Sequence, residues 1–299
     1  FNKMNNTISG LGVAMVTPFN EKGGIDLPAL QRLTENLVNG ACDFLVVLGT
    51  TAETPTLSEE EQRRVLDFIL EVNAKRKPVI VGLAGNNTAE LCKRISSFDL
   101  SGVDAVLSAC PYYNKPTQAG LIAHFEAVAD ASSRPVILYN VPARTGCNLE
   151  ADSTLHLANH PNIVAIKEAS GNLGQIDSIL LNRPSGFKVF SGDDALTLAM
   201  ISSGADGVIS VIGNAIPDIF GTMVHQALFG QINEARATHL SLAPIVEAIF
   251  KEGNPTGIKA MLEQIGICGD YVRLPLVPAT PELKKIIYTQ IAELNVTIA

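Results

Sequence analysis

The sequence predicts an α/β chain, a (β/α)8 TIM barrel carrying a C-terminal helical domain, and three observations point there. Eight short apolar segments alternate with longer amphipathic ones, the rhythm of parallel strands joined by right-handed helical crossovers. These units run over about 230 residues, the length of one closed barrel. From about Gln231 the chain keeps helical periodicity and loses its strands. The domains are therefore read as 1–230, a catalytic barrel, and 231–299, a helical domain. An open doubly wound sheet is the alternative, but its glycine fingerprint is missing: after Gly10-Leu11-Gly12, Met15 stands where the third glycine belongs.

In order, the strands are placed at 11–17, 44–48, 79–83, 105–109, 136–139, 163–167, 188–191 and 207–211, each short and rich in apolar residues. Helices are placed at 27–38, 59–74, 89–100, 118–131, 151–158, 173–181 and 195–203, where apolar residues recur at helical spacing. Ser58 with Glu61 three residues on forms a capping box, and Thr88 is a second candidate N-cap. Gly40 and Gly102 stand where helices should stop. Pro78 and Pro135 precede strands, where a missing N–H is tolerated and helix continuation is blocked. In the tail, helices at 232–250, 256–265 and 281–294 are divided by Gly253-Asn254-Pro255 and a proline-rich turn at 274–278. Phe1, Asn2 and Lys3, ahead of Met4, are set aside from the fold reading.

Hydrophobic residues make up 46% of the 299 and can fill a sizeable core, whereas charged residues are only 17%, below the usual quarter or so. So low a charge fraction points to surface buried between subunits. A net charge of -8 and only brief basic pairs, such as Arg63-Arg64, argue against a nucleic-acid partner. Cys42, Cys92, Cys110, Cys147 and Cys268 are odd in number, without a CxxC pair, and the polar N-terminus has no signal-peptide pattern, which fits a reducing cytoplasm. No apolar stretch reaches the length of a membrane span.

In a barrel, the polar residues at the C-terminal ends of the strands face one mouth. Lys167 ends the apolar run Asn162-Ile163-Val164-Ala165-Ile166. An amine held against apolar walls loses hydration, and in its neutral form it is a nucleophile able to form a Schiff base with a carbonyl. The commoner role of a lysine is a solvated surface charge, so the neighbours decide. Gly49-Thr50-Thr51 offers hydroxyls and backbone N–H groups suited to a carboxylate. Tyr139, one strand from Lys167, could relay protons, and Arg144 offers a two-pronged grip on a second carboxylate. His124, His156, His160, His225 and His239 show neither HExxH nor paired Cys/His spacing, so no metal or other cofactor is expected. Asp193-Asp194 reads as helix capping, and no GxSxG elbow is present.

The segments GTTAE at Gly49, YYNKPTQ at Tyr112, YNVPARTG at Tyr139, IVAIKEASGN at Ile163 and SGDDA at Ser191 resemble, in order and spacing, the dihydrodipicolinate synthase family of pyruvate-dependent Schiff-base lyases and synthases. The resemblance covers nearly the whole chain. It implies a lyase of lysine and diaminopimelate biosynthesis that condenses pyruvate with L-aspartate 4-semialdehyde through Lys167, with a proton relay of Tyr139, Thr50 and Tyr113, the last reaching in from a neighbouring subunit. By the same resemblance Thr51 holds pyruvate's carboxylate, Arg144 that of the semialdehyde, and the backbone at Gly192 and Ile209 lines the pocket. The resemblance further implies a homotetramer built as a dimer of dimers.

N-acetylneuraminate lyases, the runner-up within the family, usually lack this arginine and carry GST in place of GTT. A barrel that only binds a keto acid is the alternative from another class. Ala52 departs from the family pattern, which usually has glycine there and so leaves pocket geometry open. Lysine-inhibited members bind lysine at positions that fall here on Asn86, Glu90 and Tyr112, while Glu59 and Gln62 replace histidines of sensitive members.

Overall fold

The computed structural model describes residues 8–294; the first three residues and the N-terminal signal reading lie outside them. Eight parallel strands close into one barrel, each hydrogen-bonded to the next and β8 to β1. They are β1 (Gly10–Ala14), β2 (Phe44–Val47), β3 (Val79–Gly82), β4 (Ala105–Ala109), β5 (Val136–Asn140), β6 (Ile163–Glu168), β7 (Lys188–Ser191) and β8 (Gly207–Ser210). Closure rules out the open sheet. Every predicted strand is present, with ends shifted by at most three residues.

The surrounding helices are α1 (Leu27–Asn39), α2 (Glu59–Asn73), α3 (Thr88–Ser97), α4 (Gln118–Ala131), α5 (Pro142–Thr145), α6 (Ala151–Leu157), α7 (Leu173–Asn182), α8 (Thr197–Ser202) and α9 (Pro217–Leu228). Two of these, α5 and α9, are absent from the sequence reading. Pro217 at the first turn of α9 is a favourable helix start, and the run that follows buries Phe220, Met223 and Val224 against the barrel. The predicted capping box is present in full, with Ser58 accepting from the Glu61 N–H and Glu61 reaching back to the Ser58 N–H. Thr88 is not the cap of α3. Asn87 caps it, and the Thr88 hydroxyl instead lies 2.8 Å from His124 Nδ1. A short polar side chain one residue earlier reached the free N–H first. Helix α3 also stops at Ser97, five residues before Gly102, which turns the chain toward β4 with φ +77.

Alternation along the strands separates two apolar layers. Phe44, Val46, Ile80, Ala105, Leu107, Ile137, Ala165, Phe190 and Ile209 fill the barrel interior, while the other faces pack under the helices. After α9 come α10 (Ile232–Phe250), α11 (Thr256–Gln264) and α12 (Pro281–Glu293), which pack against one another. The segment around α11 returns to the barrel: Lys259 Nζ meets Glu53 Oε1 at 2.6 Å, and Glu53 Oε2 accepts from the Arg273 N–H at 2.9 Å. Both Glu53 and Lys259 are buried, so the pair fastens the tail over the end of β2.

Candidate active site

Adjacent strands bring the candidate nucleophile and phenol together. Tyr139 and Lys167 are direct register partners on β5 and β6, and the strand period turns both inward with Ile137 and Ala165 below them. Lys167 is 5% exposed and Tyr139 7%, with Lys167 Nζ 4.3 Å from the Tyr139 ring centroid. On the next strand end, Gly192 supplies the space: a Cβ there would lie 3.1 Å from Lys167 Cε and 2.7 Å from Ala169 Cβ. Any side chain at 192 would push the lysine aside. Ile209 on β8 belongs to the same interior layer.

Behind these two residues the strand ends are locked from the other face. Asn140 and Glu168 pair in register, and Asn140 Nδ2 donates to both carboxylate oxygens of Glu168, at 3.3 and 3.2 Å. Glu168 also accepts from the Ser170 N–H and from Gln175 Nε2. All of its lone pairs are spent on neighbours within the fold, so it braces the backbone that carries Lys167. Sequence reasoning missed this pair. Its signal was there in two dipeptides, Tyr139-Asn140 and Lys167-Glu168, each with one polar residue facing in and one facing out.

Beyond β2 a single 3-10 turn covers Thr50–Ala52. Thr51 is 2% exposed and its hydroxyl accepts from Asn254 Nδ2 at 2.9 Å; Thr50 is half-buried beside it. The left-handed positions of this segment fall on Leu48 and Glu53, with φ 59 and 56, so Ala52 between them needs no glycine-like backbone. Its methyl is buried, and its carbonyl accepts from Thr17 Oγ1.

Arg144 sits on α5, the one-turn helix after β5, where its Nη2 donates to the Asn254 carbonyl at 3.2 Å and its side chain stands at the surface. Asn254 thus touches both Thr51 and Arg144, the two residues that the sequence offers for carboxylates. The sequence showed it only as part of a helix break. Tyr113 is 88% exposed on the loop after β4, and its N–H donates to the Thr145 carbonyl at 3.3 Å. Within one chain it is therefore not packed beside Lys167.

Asn86 and Tyr112 meet through a bond from Asn86 Nδ2 to the Tyr112 carbonyl, and Glu90 is exposed in the first turn of α3. Gln62 is buried and bonded to the Leu57 carbonyl and to Arg94, which leaves it facing the fold. Asp193 accepts from the Ala195 and Leu196 N–H groups, as a turn cap does. Asp194 does not cap a helix. It is buried and accepts from the Val211 and Ile212 N–H groups after β8; burial raises its pKa to about 6 against those bonds.

Comparison with known proteins places this geometry. The model of the dihydrodipicolinate synthetase family matches residues 7–294. A 4-hydroxy-tetrahydrodipicolinate synthase of Azobacteroides pseudotrichonymphae is 51% identical over 272 residues, 91% of this chain and 92% of that protein. Among solved structures, the chloride-inhibited dihydrodipicolinate synthase of Acinetobacter baumannii complexed with pyruvate superposes with a TM-score of 0.94 at 36% identity, covering 97% of this chain and 100% of that one. A monomeric dihydrodipicolinate synthase variant superposes equally well, with a TM-score of 0.94 at 35% identity and 97% of each chain covered. The chain belongs to the dihydrodipicolinate synthetase family.

Proposed function

We propose that this family member catalyses the 4-hydroxy-tetrahydrodipicolinate synthase reaction, joining pyruvate to L-aspartate 4-semialdehyde on the route to diaminopimelate and lysine. The activity is that of its 51%-identical relative, and the observation that carries it to particular residues is the buried Lys167 amine set over the Tyr139 ring at the barrel mouth. Lys167 Nζ attacks the pyruvate ketone, water leaves, and the resulting iminium acidifies the adjacent methyl group. Loss of that proton gives an enamine, whose carbon adds to the aldehyde. The amine of the semialdehyde then closes the ring onto the imine carbon and releases Lys167.

Tyr139, Thr50 and Tyr113 carry the protons in this reading, and Tyr113, exposed in its own chain, does so in the mouth of a neighbouring subunit. Thr51 holds pyruvate's carboxylate beside the backbone of Gly192 and Ile209, and Arg144 takes the carboxylate of the semialdehyde. Residues 231–294 act as a cap on this mouth through Asn254 and Lys259. The working assembly is a homotetramer in the cytoplasm, supported by the low charge fraction and by the outward Tyr113. Among the described residues no helix is long and apolar enough to cross a membrane. Effector lysine is assigned to Asn86, Glu90 and Tyr112.

The test is incubation with pyruvate and borohydride followed by intact mass and peptide mapping, then a comparison of turnover on aspartate semialdehyde and on N-acetylneuraminate. A pyruvyl adduct on Lys167 with turnover of the semialdehyde supports the reading; faster turnover of N-acetylneuraminate replaces it with a lyase, and no adduct replaces it with a binding protein.

A further inference from the structure

Asn254 lies in the Gly253-Asn254-Pro255 break between α10 and α11 and meets the barrel mouth with both its main chain and its side chain. Its carbonyl accepts from Arg144 Nη2 at 3.2 Å, and its Nδ2 donates to Thr51 Oγ1 at 2.9 Å. The residue is 9% exposed, and its Oδ1 is buried with no hydrogen-bond partner. An asparagine kept for stability has both ends of its amide paired, since an unpaired buried acceptor costs free energy. Among the described residues, the bond to Thr51 is the one polar contact that this amide makes.

Three threonines around the same turn show what a hydroxyl does there by default. Thr17 Oγ1 donates to the Ala52 carbonyl at 2.8 Å, Thr54 Oγ1 to the Gly49 carbonyl at 2.9 Å, and Thr56 Oγ1 to the Glu53 carbonyl at 2.9 Å. Each spends its single proton on the backbone. Thr51 differs: its Oγ1 receives the Asn254 proton and, among the described residues, donates none. A hydroxyl has one proton and two lone pairs, so the incoming N–H fills a lone pair and leaves the O–H for another acceptor. A carboxylate only accepts, and its bonds are strengthened by its charge. The reverse amide orientation, with Thr51 donating to Oδ1, would bury two N–H donors without partners in place of one carbonyl oxygen.

We propose that Asn254 is a positioning residue for substrate capture, whose Nδ2–H holds the buried Thr51 hydroxyl as a donor aimed at pyruvate's carboxylate. It acts through Thr51, so this role rests on the reading of Thr51 as pyruvate's anchor. Without the amide, the Thr51 hydroxyl is free to turn to a backbone carbonyl as its neighbours do, and its proton is then already spent when pyruvate arrives. The Asn254 carbonyl holds Arg144 separately, and no substitution of the side chain removes it. The two contacts can therefore be told apart.

Pyruvate capture is read without the second substrate, as the pyruvate concentration giving half-maximal borohydride trapping, with the KM for aspartate semialdehyde measured beside it. Asn254→Ala should raise the half-trapping concentration about ten-fold, the loss expected for one hydrogen bond to a charged group, and shift the semialdehyde KM by about two-fold or less. Its melting temperature should match wild type. In a Thr51→Val background the same substitution should change trapping by about two-fold or less, because no hydroxyl is left to orient. Asn254→Asp tests the direction of the bond: its ionised carboxyl only accepts and draws the Thr51 proton away from pyruvate, and once protonated it donates again. Relative to wild type at each pH, this variant should trap pyruvate worst near about pH 8 and recover toward about pH 5, whereas Asn254→Ala keeps a constant ratio. Most of that recovery should vanish in the Thr51→Val background, where simple charge repulsion would persist. Wild-type trapping by Asn254→Ala beside a defective Thr51→Val overturns the role of Asn254 alone; wild-type trapping by Thr51→Val overturns it together with the reading of Thr51. Equal losses for both substrates, tracking a lowered melting temperature, would make Asn254 a packing residue.

Discussion

Two buried lysines, one in the barrel mouth and one under the C-terminal helices, show how position alone divides chemistry from structure. Lys167 and Lys259 are 5% and 0% exposed, and each side-chain nitrogen lies over an aromatic ring, at 4.3 Å from Tyr139 and 4.2 Å from Phe19. The difference is what else surrounds them. Lys259 is held by the Glu53 carboxylate and the Tyr271 carbonyl, at 2.6 and 2.8 Å. Burial lowers its pKa from the ordinary lysine value, and Glu53 works against that shift. Lys167 lies among Gly192, Ala169 and the Tyr139 ring, beside Glu168, whose carboxylate is already engaged on the far face of the strand. A buried amine with a carboxylate and a carbonyl is held in place as a cation; one set among a glycine, a methyl group and a phenol is left available to react.

The contrast breaks first at Lys167. Lys167→Ala should abolish the trapped pyruvyl adduct and reduce condensation to background, with the melting temperature close to wild type; an adduct mapping to Lys259 or any other lysine would reverse the assignment. Lys259→Ala should do the opposite. It leaves Glu53 as a buried charge without its partner, at a cost of about 3 to 5 kcal/mol of stability in urea unfolding, while the folded fraction still traps pyruvate. Lys259→Met with Glu53→Gln should recover much of that loss, and a double variant no more stable than the single one would show that the pair does not fasten the tail.

Arg144→Ala sharpens the mouth side: the adduct persists, and condensation falls by about 2 to 4 kcal/mol of transition-state stabilisation because a charged carboxylate partner is gone. Equal kcat/KM for the semialdehyde in variant and wild type would remove Arg144 from the site.

The smallest effect comes from a third buried base. His124 has one ring nitrogen near Thr88 Oγ1 and the other, Nε2, buried without a partner, and burial lowers its pKa from 6.5 to about 4. Because the unfolded chain takes up this proton at a higher pH, the stability it contributes is complete above pH 6.5 and is lost as the pH falls toward 4. His124→Leu should flatten the stability curve in that window by about 2 kcal/mol, and an unchanged acid slope would show that the ring is already solvated.

Much of the barrel was legible because its signals are local. Strand periodicity, Ser58 with Glu61, and the prolines before β3 and β5 each act within a few residues of themselves. Helix α9 was not legible, since its apolar run sits directly between β8 and α10 and nothing but Pro217 marks a start. At the site, Lys167 and Tyr139 could be paired from strand order because neighbouring strands of a parallel barrel meet in register. Asn254 and Lys259 could not. Their partners, Thr51 and Glu53, lie more than 200 positions away, and a Gly-Asn-Pro break or a lysine in a helical run looks the same whether it closes a pocket or faces water.

The clasp between Glu53 and the segment from Lys259 to Arg273 also sets an order in time. A chain emerging from the ribosome presents all eight strands by Ser210, yet the carboxylate beside the mouth then has neither its ammonium nor its backbone N–H partner. Thr51 likewise waits for Asn254. The lining of the mouth is therefore finished last, by residues that contribute no strand and reach the ribosome's exit only after the whole sheet has been made.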